Sequence, residues 1–269
     1  MDDTKALYLD LLKRSLTNSI YAEEEVQFFR SSSMLGRLLQ RYYEGRGQAV
    51  VRRKRYDPEK RRLGRDRPPT AHSMIGLERL NNLQHCIEAV LHDGIVGDLI
   101  ETGAWRGGAT IFMRGVLKAY GVTDRTVWVA DSFKGLPPPD ADVYPADKDD
   151  RHHTFADLAI PLEKVKSNFR AYGLLDDQVQ FLQGWFKDTL PQAPIARLAV
   201  MRLDGDMYQS TMDALTSLYP KLSSGGYAII DDYSLKPCAQ AVHDYREQHG
   251  VTEPIQDIDG TGVFWRRSS

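Results

Sequence analysis

At 269 residues, 42% hydrophobic and 27% charged, with a mean hydropathy of −0.45, the chain has the composition of a water-soluble globular protein and the length for one large α/β domain or two small ones. No apolar run approaches the ~20 residues that span a bilayer, and "MDDTKALYLD" carries acids where a signal peptide would be basic and then apolar, so a cytoplasmic protein without membrane contact is expected. The net charge is only −2, and two cysteines, Cys86 and Cys238, exclude a disulfide framework or a Cys-rich metal site and read as buried reduced thiols.

In chain order, "LYLDLLKRSLTNSIY" places Leu7, Leu11 or Leu12, and Leu16 on one helical stripe, which predicts a helix packed on the core or on a partner chain. Next comes a basic run. Arg37 to Arg67 holds twelve Lys or Arg against four acids, which leaves about ten net negative charges on the rest of the chain. With Tyr42, Tyr43 and Tyr56 interleaved, the run could bind nucleic acid or a phosphate-bearing ligand, but a solvated, mobile segment is the ordinary meaning of such a run. Its part from Arg46 to Pro69 has few large apolar residues and reads as a lid or linker. "HSMIGLERLNNLQHCIEAVLHDG" then spaces Ile75, Leu80, Leu83, Ile87, Val90 and Leu91 along one helical face, with Gly94 as terminator.

From residue 98 onward short apolar runs alternate with helical periodicity, the pattern of a βαβ chain with a mostly parallel sheet. Strands are expected near Asp98 to Glu101, Thr126 to Asp131, Gln178 to Leu182, Leu198 to Asp204 and Tyr227 to Asp231, with a final pair near Pro254 to Ile258 and Val263 to Arg266. After the second of these, "PPPDADVYPADKDDRHH", Pro137 to His153, is too polar and Pro-rich for a buried element and reads as a second lid.

Chemistry gathers at the strand ends. "DLIETGAWRGGATIF" ends a strand in Glu101, turns at Gly103 and opens a helix at Gly107 and Gly108, which brings backbone N–H groups close to a ligand. It lacks the Lys and Ser/Thr of a phosphate loop, which argues against a Walker-type nucleotide site. Asp131, ending the next strand, can accept both hydroxyls of an adenosine ribose; the competing reading is a cap on the turn before Phe133. "VMRLDGDMYQS" and "GGYAIIDDY" end two further strands in Asp204, Asp206, Asp231 and Asp232. Four carboxylates at one edge repel each other unless a cation sits among them, and oxygen-only ligands select Mg²⁺ or Ca²⁺. Capping by Asp206 with a solvent-facing Asp232 is the alternative. A cation beside a ribose-bound cofactor would acidify a substrate hydroxyl, with Asp206 as candidate base and His152 and His153 as rivals on the second lid.

As an ordered set, "LYLDLLKRSLTNSIY", "HSMIGLERLNNLQ", "IETGAWRGG", "ADSFKGLP", "GWFKDTLP", "RLDGDMYQSTMDAL", "GGYAIIDDY" and "AVHDYR" cover nearly the whole chain. The sequence resembles the macrocin O-methyltransferase family, metal-dependent sugar methyltransferases of antibiotic biosynthesis. The resemblance implies a class I methyltransferase fold, an α/β Rossmann-like seven-stranded mostly parallel sheet with helices on both faces. Residues 1–69 would form a helical extension with a basic lid, and 70–269 the methyltransferase domain. S-adenosylmethionine would lie with its methionine moiety near Glu101 and Gly103 and its ribose on Asp131, with Ser132 also in contact, Ser73 and Met74 closing over it, and Gly184, Trp185, Phe186 and Asp188 along the adenine. The resemblance also implies Asp204, Asp231 and Asp232 as Mg²⁺ ligands, Asp206 as base, a glycoside acceptor and a homodimer or higher homo-oligomer. A catechol-type methyltransferase would chelate adjacent phenolic oxygens with the same acids, and an RNA-binding or RNA-modifying protein would instead use the basic run.

Overall fold

Leu198–Leu203 is buried at all six positions, as a strand covered by helices on both faces must be. The computed structural model describes residues 3–21, 26–28, 31–53, 55–66 and 68–268. Its elements in chain order are α1 (Asp3–Leu16), β1 (Val26–Phe28), α2 (Met34–Glu44), β2 (Val51–Arg53), α3 (Pro58–Arg62), α4 (Leu77–His92), β3 (Asp98–Thr102), α5 (Gly108–Ala119) and β4 (Val127–Asp131). They continue with α6 (Leu162–Ala171), β5 (Val179–Gln183), α7 (Phe186–Thr189), β6 (Leu198–Leu203), α8 (Tyr208–Leu218), β7 (Leu222–Ile230), α9 (Lys236–Gln248), β8 (Gln256–Asp257) and β9 (Val263–Arg266).

The main sheet has seven strands in the order β5-β4-β3-β6-β7-β9-β8. Strands β3 to β7 pair in parallel, and β9 and β8 add an antiparallel edge. Successive side chains point to opposite faces, so Leu99, Val127, Val129 and Ile229 join one core with α1, α4, α5 and α6. Their neighbours Ile100, Trp128, Ala130 and Ile230 join a second core with α8 and α9. All seven main-sheet strands lie where the apolar runs place them, with ends that differ by a few residues; β7 starts earlier, at Leu222. The chain runs outward from β3 to β5 and returns to β6 beside β3, a reversal of strand order that opens a crevice at the carboxyl ends of β3 and β6.

Three expectations need correction. Leu7 and Leu11 are exposed, and the buried stripe of α1 is Leu9, Leu12 and Leu16. Both stripes have helical spacing; the choice comes from α5, where a Cβ on Gly115 would meet Leu12 Cδ2 at 2.3 Å, so the absent side chain makes room for the leucine. The basic run is not simply a solvated tether. Arg61 is 1% exposed, pairs with Asp66 through Nη2 at 2.8 Å and donates to the Thr17 carbonyl, while Arg62 pairs with Glu59 and Glu78. Gly64 and Gly76 touch so closely that a Cβ on either would meet the other's backbone nitrogen within 2.5 Å, which seats this segment on the start of α4. The lid from Pro137 to His153 is not wholly outside the core: it folds into 3₁₀ turns at Pro145–Asp147 and His152–Thr154, and Asp147 is fully buried. Lys54 and Arg67 of the basic run lie outside the described residues. Both cysteines are free and buried, and burial pushes each thiol well above its usual pKa.

Candidate active site

The sheet's hydrogen bonds run directly into the loops at its carboxyl edge. Gly103 N donates to the Ala130 carbonyl, Asp204 N to Thr102, Asp231 N to Leu203 and Gly184 N to Asp131, all at 2.8 to 3.0 Å. Gly103 has φ 83°, and a Cβ there would meet the Asp204 carbonyl oxygen at 1.8 Å. Only glycine permits this approach of the first loop to the acid-bearing strand end.

One carboxylate oxygen from each of Asp204, Asp206 and Asp232 lies within 4.8 Å of the others. Asp206 has φ 56°, a left-handed conformation uncommon outside glycine, and its N–H donates to Asp232 Oδ2 at 3.0 Å. Asp206 does not cap α8, whose N-cap is Met207. Asp231 is held by two arginines. Its oxygens pair with Arg79 Nη1 and Arg202 Nη2, each at 2.5 Å.

Arg202 also contacts Glu101 and, at 3.0 Å, Asp204. Arg79 also pairs with the buried Asp259 side chain at 3.0 Å, so two guanidiniums face six carboxyl groups at this edge. Burial, then repulsion from Asp232 and Asp231, pushes Asp204 well above the usual carboxylate pKa; burial, then Asp206 and Asp231, does the same to Asp232. Burial also outweighs the arginine beside Glu101 and raises that carboxyl to about 7. For Asp231 burial pulls the same way, but Arg202 and Arg79 outweigh it and the net shift is downward.

On the other side of the crevice the Asp131 carboxylate accepts from Ala104 N at 2.8 Å, Trp105 N at 3.3 Å and Phe133 N at 2.6 Å. It therefore does cap the turn before Phe133, and it lines the cavity as well. Arg106 Nη1 donates to the carbonyls of Pro69 and Ala71, tying the segment that carries Ser73 and Met74 to the glycine loop. Both acid groups border one cavity of about 650 Å³, whose walls also include Met74, Gly184, Trp185 and Phe186.

Residues 5–267 match the model of the macrocin-O-methyltransferase (TylF) family. The chain belongs to this family. It is 55% identical to a Streptomyces olivaceus 8-demethyl-8-(2,3-dimethoxy-alpha-L-rhamnosyl)-tetracenomycin-C 4'-O-methyltransferase, over 100% of this chain and 95% of that one. It is 52% identical to the Micromonospora griseorubida mycinamicin III 3''-O-methyltransferase, over 98% of this chain and 97% of that one. The solved structure of the O-methyltransferase NovP, 46% identical, superposes with a TM-score of 0.86 over 98% of this chain and 100% of that chain. The chain is accordingly an S-adenosylmethionine-dependent O-methyltransferase with an α/β class I fold.

Within this macrocin-type fold the cavity brings together Met74, Gly103, Asp131, Ser132, Gly184, Trp185, Phe186 and the four aspartates, together with His152. Three residues carried over from the resemblance stand off its wall. Ser73 is buried and donates to the Ile75 carbonyl, Glu101 is buried against Arg202, and Asp188 is exposed. His153 is exposed on the lid. The sequence reading missed Arg202 and Arg79. A signal existed for the first: Arg202 interrupts an otherwise apolar buried strand, and an isolated charge there needs a partner.

Proposed function

We propose that this methyltransferase acts on a sugar hydroxyl of a glycosylated natural product, with Mg²⁺ at the acid edge. The observation that carries the reading is that the aspartate trio and the Asp131 loop border the same cavity, so a cofactor ribose and an acidic edge meet in one space. Both 55%- and 52%-identical relatives are named for methylation of glycosylated natural products. The donor set fits a hard dication, since it is oxygen-only and its spread of 4.8 Å or less matches ligands on an ion with bonds of about 2.0–2.6 Å. Asp204 and Asp232 would hold the ion, and Asp231, each of whose oxygens also pairs with an arginine, would be the third ligand. When bound, such an ion lowers the pKa of a coordinated alcohol and offsets the repulsion among the acids.

The chain's own residues would do the rest. Asp131 accepts the ribose hydroxyls and so fixes the sulfonium relative to the acceptor. Asp206 would take the proton of the acceptor hydroxyl, and S-adenosylmethionine, when bound, would supply the methyl group and depart as S-adenosylhomocysteine. The lid residues Pro137, Pro138 and His152 cover the cavity and exclude water.

The test is methyl transfer to the rhamnosyl-tetracenomycin acceptor named for the Streptomyces relative, read by mass spectrometry. A chelator should abolish the gain of one methyl group and Mg²⁺ should restore it; full activity in excess chelator would remove the metal from this reading. In a second expected result, Asp131→Asn weakens S-adenosylhomocysteine binding by roughly tenfold or more, as loss of charge-assisted bonds of about 1.5–3 kcal/mol dictates. Its Mg²⁺ affinity should hardly change. Unaltered calorimetric affinity for S-adenosylhomocysteine would take the ribose away from Asp131.

A homo-oligomer is also proposed, supported by the exposed Leu7 and Leu11 of α1 and Leu35, Leu38 and Leu39 of α2. Sedimentation velocity should show a species at least twice 30.5 kDa, and a monomer at micromolar concentration would refute it.

A further inference from the structure

Helix α8 begins directly after the acid cluster, and no side chain of its own caps it. The first N–H groups of a helix have no intrahelical partner and need an acceptor from elsewhere. Here the acceptor comes from the lid. Asp147 Oδ1 accepts from Tyr208 N at 2.7 Å and Oδ2 from Gln209 N at 3.0 Å, across 61 and 62 residues of sequence. The carboxylate is fully buried. Around it the Tyr144 ring packs against the Tyr208 ring at 6.0 Å, and the Tyr208 hydroxyl donates to Asp244 at 3.0 Å.

Two features of the cavity meet at this contact. The lid residues Pro137, Pro138, Asp140 and His152 form one part of the wall, and Asp206, Gln209 and Asp213 another. Asp206 precedes the capped N–H of Tyr208 by two residues and is held at φ 56°. A non-glycine residue in that region persists only where its surroundings hold it. The hydrogen bond from Asp206 N to Asp232 anchors the turn on one side, and the Asp147 cap anchors it on the other.

We propose that Asp147 is a positioning residue for methyl transfer: as the cap that the lid supplies to α8, it makes seating of the lid and placement of the Asp206 carboxylate a single event. The lid then does more than cover the acceptor, because its docking completes the turn that presents the acid. This inference rests on Asp206 being the base.

The test uses the full chain with Mg²⁺, S-adenosylmethionine and the rhamnosyl-tetracenomycin acceptor. Asp147→Ala is expected to lower kcat roughly 10- to 100-fold, the scale of a small misplacement of a reacting group, and to raise KM for the acceptor. S-adenosylhomocysteine affinity should stay within about twofold, since Asp131 is on the far side of the crevice. Hydrogen exchange at the Tyr208 and Gln209 amides should quicken. Asp147→Asn keeps one acceptor oxygen and should recover part of kcat. In an Asp206→Asn background Asp147→Ala should cost little further kcat, because the two act as one unit. Losses that multiply in the double variant, or wild-type kcat and KM in Asp147→Ala despite faster exchange, overturn the proposal. So does an equal loss of kcat and S-adenosylhomocysteine affinity, which would mean a general folding role. If Asp206→Asn alone keeps its kcat, the base assignment fails, a result read separately from the lid's own exchange and KM.

Discussion

Asp206→Asn is expected to lower kcat roughly 10²- to 10⁴-fold at saturating acceptor, the usual cost of removing a general base. The amide cannot accept the hydroxyl proton, yet it keeps nearly the same volume, so S-adenosylhomocysteine affinity should be unchanged. Asp206 belongs to the trio that would surround a cation, and metal loss would imitate base loss. Titrating the variant with Mg²⁺ separates the two: a deficit that persists at saturating Mg²⁺ belongs to the base, and one that titrates away belongs to a ligand. His152 is the competitor, because it lines the same cavity and its Nδ1 lies 2.5 Å from Asp150. That pairing holds the ring on the lid. His152→Ala and His153→Ala should mainly raise KM for the acceptor. Near-wild-type kcat in Asp206→Asn, alongside its collapse in His152→Ala, would move the base to the lid.

Arg202→Met is expected to cost about 3–5 kcal/mol of stability, the range for removing one partner of a buried ion pair. The arginine is 2% exposed and contacts Glu101, Asp204 and Asp231, so its loss leaves three carboxylates at the sheet edge without that cation. Thermal unfolding of the variant at neutral pH should occur well below that of the wild type. The pH dependence follows from the sign of the shift. Burial already raises Glu101 to about 7 beside the guanidinium, and without it the rise is larger. A carboxyl whose folded pKa exceeds its unfolded value binds more protons when folded, so it favours folding at low pH and loses that contribution as pH rises through the folded pKa. Arg202→Met should therefore recover stability relative to the wild type as pH falls from about 9 to about 7, the range in which Glu101 is protonated in the variant and ionised in the wild type. An equal deficit at both pH values would mean that lost packing, not unpaired charge, is the cause. Arg202→Lys keeps a charge but not the fork that reaches three acids, and should fall between the two.

Much of the fold was legible because the signals for it are local. A strand announces itself by a short apolar run, and its end by the glycines and acids that follow. Those patterns located β3, β4, β6 and β7 and put Asp131, Asp204 and Asp231 at or just beyond their carboxyl ends. β6 and β7 pair directly in parallel, joined by a single helical connection. The Gly103 turn and the Gly107 cap of α5 were legible for the same reason, since a backbone that must turn at positive φ selects glycine.

The sequence by itself determined the α/β architecture, the family, the glycines of the loop after β3 and the presence of an acidic edge. Tertiary structure alone decided how those acids are shared out: Asp231 to Arg79 of α4 and Arg202 of β6, Asp204 to Arg202 as well, and Asp204, Asp206 and Asp232 beside one another. It also decided which stripe of α1 is buried, through a missing side chain on Gly115. The docking of Arg61 on Asp66 and Thr17, and of Asp147 on the start of α8, belongs to the same class. The physical reason is one of range. Hydrophobic period and turn chemistry act over a few residues and leave a mark at each position, whereas the partner of a charge is chosen by strand order and loop path, which bring together groups 61 or 152 residues apart that carry no periodic trace of each other.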